Sequence, residues 1–201
     1  CQDKNPFGFE LQKAGVLGGK SYVARLLEKR GIPVYDSDSE AKRLSDSSVD
    51  IRNRLIALTG MENLYADGML NRKLLAEYLF ESKENARAVE NIIHPVVKAD
   101  FINWAANQTA SISAIESAIL FESGFTDVVD YIVVVDAPME LRIDRCVNRD
   151  STTKERVLER LAAQMSQEEK CALADFVIFN DNVSDLEQQI DNMLKLLKDK
   201  M

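Results

Sequence analysis

With 201 residues, 46% of them hydrophobic and 29% charged, the chain suits one domain with a substantial core and an ordinary soluble composition. Its net charge of −8 excludes a general nucleic-acid binder, which needs a basic surface, but leaves room for a nucleotide pocket lined by a few basic residues. No apolar run reaches membrane-spanning length, no secretory leader is visible at the start at Cys1, and three scattered cysteines (Cys1, Cys146, Cys171) suit a reducing cytoplasm rather than a disulfide framework or a metal site.

The first informative stretch is Gly18-Gly19-Lys20-Ser21. At a helix start, backbone N–H groups and the positive helix end hold phosphate; a lysine there reaches the outer phosphates and a serine hydroxyl can ligate Mg²⁺. The full phosphate-binding loop is Gly, four residues, then Gly-Lys-Ser. Counting back from Gly19, its first glycine falls on Ala14; Gly15 is one place late, and Leu17 stands where a small residue is needed. The preceding strand should be apolar, yet Phe9-Glu10-Leu11-Gln12-Lys13 alternates and carries charge. A compensated frameshift in the coding DNA over codons 1–20 would produce this local departure.

Lys20 to Lys29 reads as a helix with Val23, Leu26 and Leu27 on one face, stopped by Gly31. Ile32 to Tyr35 is a short strand ending at Asp36, and Asp38 follows. A long helical region runs from about Ser39 to Asn107, broken by a turn at Tyr65-Ala66-Asp67-Gly68. Strands are expected at Ser113–Phe121 and Tyr131–Asp136, then a helix over Met139–Val147. Two helices follow with capping boxes at Thr152/Glu155 and Ser166/Glu169, then a strand over Phe176–Phe179 and a last amphipathic helix capped by Ser184 with Glu187. Strands alternating with helices imply an α/β fold with a parallel sheet, and its ligand belongs at the carboxyl ends of the strands. Polar residues recur there: Asp36, Asp38, Glu122, Asp136 and Asn180.

From about Gly18 onward the chain resembles the dephospho-coenzyme A kinase family. The matching segments, in order, are Gly-Lys-Ser, Gly31-Ile32-Pro33-Val34-Tyr35-Asp36-Ser37-Asp38, Asp67-Gly68-Met69-Leu70-Asn71-Arg72 and Ile93-His94-Pro95. They continue through Glu116-Ser117-Ala118-Ile119-Leu120-Phe121-Glu122, Arg145 with Asn148-Arg149-Asp150, Arg160-Leu161-Ala162-Ala163-Gln164 and Ala174-Asp175-Phe176-Val177-Ile178-Phe179-Asn180. The resemblance implies a three-layer P-loop fold: a core of 1–38, 111–140 and 172–201, a helical coenzyme A-binding insertion over 39–110, and a lid over 141–171. It implies ATP and Mg²⁺, with dephospho-coenzyme A as the acceptor whose 3′-hydroxyl is phosphorylated. The assembly expected is a monomer or weak homo-oligomer.

In that family Lys20 would contact the outer phosphates, Ser21 would ligate Mg²⁺, and Asp38 would be the general base. Arg145 and Arg149 would neutralise transferring charge from the lid. Gly15, Gly18, Gly19, Tyr22 and Asn180 would bind the nucleotide; Arg72, His94 and Glu122 would serve the acceptor. Each has a plainer reading. Asp36 can end a strand in an Asx turn, Asp38 can cap a helix starting at Ser39, and Arg72 can form a surface salt bridge. His94 before Pro95 can be structural, and Arg142, Arg145 and Arg149 are spaced as a solvated helix stripe. Glu116 and Glu122 can orient metal-bound water or bond a neighbouring loop. Two other functions fit: a non-catalytic P-loop-fold protein that binds a coenzyme A precursor, or a related small-molecule or nucleotide kinase.

Overall fold

The computed structural model describes residues 8–13, 20–162 and 164–200; for 8–13, 20, 149, 150 and 160 the description is of the backbone alone. The chain divides into two compact units, one formed by Cys1–Tyr35 with Ala105–Met201 and the other by Asp36–Trp104.

The first unit is built on a sheet. Its strands are β1 (Gly8–Lys13), β2 (Val34–Asp36), β5 (Ser113–Ser117), β6 (Ile132–Asp136) and β7 (Phe176–Phe179). Their order across the sheet is β2-β5-β1-β6-β7. β1 is central and parallel to both neighbours, with Leu11 opposite Glu116 on one side and Val133 on the other. The charged 8–13 stretch therefore supplies the middle strand at the level of the backbone, contrary to the apolar run such a position normally carries.

Both faces of the sheet are covered. Helices α1 (Lys20–Glu28) and α10 (Leu186–Lys198) bring Val23, Leu26, Leu27, Ile190, Met193 and Leu197 against Ala114, Val133, Val135 and Ile178. Ile115 and Val134 lie one residue out of phase on the other face and are also fully buried. All five residues of β5 are buried, Ser113, Glu116 and Ser117 among them. The strand stops at Ser117, however, rather than Phe121: Ser117 Oγ accepts the Ile119 amide, and Leu120–Ser123 turns as the short helix α6.

Between β6 and β7 lie α7 (Met139–Asp150), α8 (Lys154–Ala162) and α9 (Gln167–Leu173). Ile143, Cys146 and Val157 pack α7 on α8. The capping box at Ser166/Glu169 forms as expected. At α8 the cap is Thr153 rather than Thr152, its hydroxyl accepting from Arg156 N. At α10 it is Asp185 rather than Ser184, because Ser184 is bonded to the Asp181 carboxylate.

The second unit holds α2 (Ser37–Ser47), α3 (Val49–Thr59), the hairpin β3 (Tyr65–Ala66) and β4 (Met69–Leu70), α4 (Arg72–Glu81) and most of α5 (Lys83–Ala106). Asp67 and Gly68 both take positive φ at the hairpin turn (50° and 82°), as the Asp-Gly pair predicts. Asp46 ties the hairpin to α2: it accepts the Leu70 amide at 3.0 Å and pairs with Arg72 at 2.7 Å. Arg52 adds bonds to the carbonyls of Asp46 and Gly68 and lies 4.9 Å over the Tyr65 ring.

The Arg72 hydrogen bond, helped by the Leu70 amide, holds the Asp46 carboxyl below its usual range. A folded value below the unfolded one means stability present above about pH 4 and lost as pH falls through the folded value. Asp46→Asn should thus cost about 1 kcal/mol at pH 7, a figure kept low because Arg72 is half exposed. Chemical denaturation should show the two proteins converging at acid pH; an equal gap at pH 7 and pH 3 would refute the ion-pair account.

Candidate active site

β1 lies between β5 and β6, with the earlier strand β2 beyond β5 and the later β7 beyond β6. The chain leaves β1 in both directions across the sheet, so the crevice at its carboxyl end is the switch point where ligands bind in open α/β sheets. α1 begins there at Lys20, directly after Gly18-Gly19. Gly15, Gly18 and Gly19 lie outside the described residues, as do the side chains of Lys20 and Arg149.

Ser21, in the first turn of α1, donates its hydroxyl to Glu116 Oε1 at 3.0 Å. Glu116 is only 4% exposed. A buried carboxylate behind the loop serine is a hard oxygen pair, the chemistry a Mg²⁺ ion with retained waters accepts. Two roles are open to Glu116, and the bond to Ser21 joins it to the helix start. Among the described residues, no group of three Asp, Glu, His or Cys side chains is placed to hold a metal by itself.

A groove of about 610 Å³ lies between α1, α7 and the loop after β7, lined by Tyr22, Arg145, Asn180, Asn182, Leu186 and Glu187 among others. Two residues expected at the nucleotide, Tyr22 and Asn180, meet here with Arg145, expected to neutralise transferring charge. Arg145 Nη1 donates to the Asn180 carbonyl at 3.1 Å, and Nη2 to Asn180 Oδ1 at 3.3 Å. Arg142, one turn earlier, is 7% exposed and donates to Gln167 Oε1 at 3.1 Å. Arg142 and Arg145 are thus engaged with neighbouring elements instead of forming a solvated stripe.

Of the acid pair at the end of β2 and just beyond it, Asp36 is the N-cap of α2. It accepts from the amides of Asp38 and Ser39 at 3.1 and 3.2 Å and from the Ser39 hydroxyl at 2.8 Å. The helix accordingly starts at Ser37, not Ser39, and Asp38 stands exposed in its first turn. Arg72 is committed to Asp46, with a further bond to the Lys42 carbonyl at 3.3 Å. His94 lies within α5 before Pro95; burial pushes its imidazole below the usual range, and Glu90 one turn earlier pulls it back. Glu122 accepts the Met165 amide at 3.2 Å and faces the Lys170 ammonium at 3.5 Å. Lys170 and Asn182 carried no motif signal in the sequence.

A five-stranded sheet whose central strand is parallel to both neighbours and is followed by Gly-Gly-Lys-Ser, a buried carboxylate on the serine and an arginine-walled groove beside it define a P-loop phosphotransferase. The family model for dephospho-CoA kinase matches residues 13–185. A dephospho-CoA kinase from Bacteroides fragilis is 46% identical over 188 residues, covering 93% of this chain and 91% of that protein. Among solved structures, TT1252 from Thermus thermophilus superposes with a TM-score of 0.81 at 30% identity over 98% of this chain and 100% of that one. A dephospho-CoA kinase from Campylobacter jejuni shares the fold, with a TM-score of 0.68 at 24% identity over 96% and 98% of the two chains. The chain belongs to the dephospho-CoA kinase family.

Proposed function

We propose that this chain transfers the γ-phosphoryl group of ATP to the 3′-hydroxyl of dephospho-coenzyme A, giving coenzyme A and ADP, the last step of coenzyme A synthesis. The observation that carries it is the 46% identity over most of the chain to a protein named for that activity, together with Ser21 and Glu116 meeting at the start of α1. Phosphoryl transfer asks for positioning and charge neutralisation rather than covalent help from the protein.

In this reading Ser21 holds Mg²⁺, with Glu116 orienting the serine hydroxyl; the ion, when bound, neutralises charge on the outer phosphates. Lys20 contacts the β- and γ-phosphates. Asp38 takes the proton of the 3′-hydroxyl as its oxygen bonds to the γ-phosphorus and the bond to the β–γ bridging oxygen breaks. Arg145 and Arg149 lie on the lid, and planar guanidinium donors suit spread phosphate charge. Tyr22, Asn180 and the glycines serve ATP; Arg72, His94 and Glu122 serve the acceptor. The enzyme works in the cytoplasm as a monomer or weak homo-oligomer.

The second reading, a relative that binds a coenzyme A precursor without transfer, is favoured by Ala14 and Leu17 in the loop sequence. One assay separates them: ADP release from Mg²⁺-ATP with and without dephospho-coenzyme A, with mass analysis for a phosphate gain. Acceptor-dependent turnover is the expected result. Acceptor binding by calorimetry with no turnover would establish the second reading instead.

A further inference from the structure

The shortest bond made by Arg145 goes to a residue that the transfer chemistry does not call for. Its Nη2 donates to Asn182 Oδ1 at 2.6 Å, against 3.1 and 3.3 Å to Asn180. Asn182 has φ 66°, the left-handed region that glycine enters freely and asparagine tolerates better than other side chains. Its neighbours fix that conformation. Asp181 Oδ1 accepts the amides of Val183 and Ser184 at 2.9 and 2.7 Å, and Oδ2 accepts the Ser184 hydroxyl at 3.0 Å. On the other side the Asn180 amide donates to the Asp136 carbonyl at 2.7 Å, continuing the β6–β7 ladder. The loop is therefore held on both flanks, and the Asn182 amide reaches across to α7.

We propose that Asn182 is a positioning residue for Arg145: it latches α7 to the loop after β7 and holds the guanidinium as one wall of the nucleoside groove. The inference rests on the kinase reading and deepens it, assigning to Asn182 the setting of that wall. Glycine would serve the backbone at this φ equally well, so the asparagine side chain is what the latch adds. A guanidinium tied by two side chains and a carbonyl presents a fixed flat surface, and pre-organisation of that kind raises affinity by lowering the ordering cost of binding.

The test compares the full-length parent with Asn182→Gly and Asn182→Asp. The glycine variant suits the backbone and removes only the side chain, so folding is preserved; the aspartate keeps an acceptor at a tolerated φ. Asn182→Gly should weaken ADP binding about 5- to 20-fold by calorimetry, the range for losing one hydrogen bond to a charged group at a half-exposed site. The same loss should appear in KM for ATP rather than in kcat. Asn182→Asp should recover most of the affinity. In ¹⁵N spectra, the Arg145 Nη–H signals, assigned through Arg145→Lys, should shift in the glycine variant and return toward the parent position in the aspartate variant. Unchanged ADP affinity and an unchanged Arg145 signal in Asn182→Gly would overturn the latch. A parent that binds ADP but shows no acceptor-dependent turnover would instead remove the kinase reading and leave the latch standing.

Discussion

Asp38→Asn should lower turnover about 10²- to 10⁴-fold, the range for losing a general base, with little change in KM for ATP. The structure supplies the control that makes this expectation sharp. Two acids lie at the end of β2 and just beyond it, and either could be named the base from sequence. Asp36 is committed: both of its carboxylate oxygens accept bonds from the first turn of α2. Asp38 is exposed in that same turn and is not the cap. Asparagine caps a helix about as well as aspartate, so Asp36→Asn should keep both the helix and most of the activity. Equal losses in the two variants would point to a disturbed α2 and remove the base assignment from Asp38. Lys20→Ala should also abolish most transfer, but with KM for ATP rising, because it withdraws charge from the phosphates in ground and transition states alike.

What the sequence made legible was periodic. The stripe Ile190, Met193, Leu197 identified α10, and that face is buried against the sheet. The run Phe176–Phe179 matched β7 to the residue. Ends were less legible, because several oxygens compete for the same amides within a few residues. Ser184 looks like the cap of α10 until Asp181 takes its amide and hydroxyl, leaving Asp185 to do the capping. Asp38 looks like a cap until Asp36, two residues earlier, accepts its amide. The 113–121 segment reads as a single strand since buried strand and buried helix turn share an apolar composition. Within the candidate site, the residues at strand ends were visible as isolated polar positions. The partners that engage them were not: Asn182 and Lys170 meet Arg145 and Glu122 only through the tertiary fold, 37 and 48 residues away in sequence. The central strand is the opposite case, since its charged 8–13 stretch argued against a position that the backbone pairing gives it.

Glu122→Ala should be the most damaging of the stability variants, costing about 2–4 kcal/mol, because it removes a carboxylate that faces a fully buried ammonium and accepts a backbone amide. Lys170 is 0% exposed, and its Nζ lies 3.5 Å from Glu122 Oε1, whose side chain retains 31% exposure. The same oxygen accepts the Met165 amide, directly before the capping box that starts α9. The carboxylate therefore serves two partners on the return from α8 to α9, and alanine serves neither. The worth of the contact between the two charges is isolated by a second variant and the double. Lys170→Met keeps the length of the stem and removes the charge; alone it should change stability by less than about 1.5 kcal/mol, and in Glu122→Ala/Lys170→Met it should restore most of what the single change lost. Denaturant melts of the four proteins close the cycle, and additive effects would refute the pairing. The same four proteins separate the two roles open to Glu122. If the double variant regains stability and turnover together, Glu122 acts on the reaction only by holding the α8–α9 connection. If stability returns while KM for dephospho-coenzyme A stays raised, the carboxylate itself contacts the acceptor, and the pair with Lys170 is what keeps it aimed.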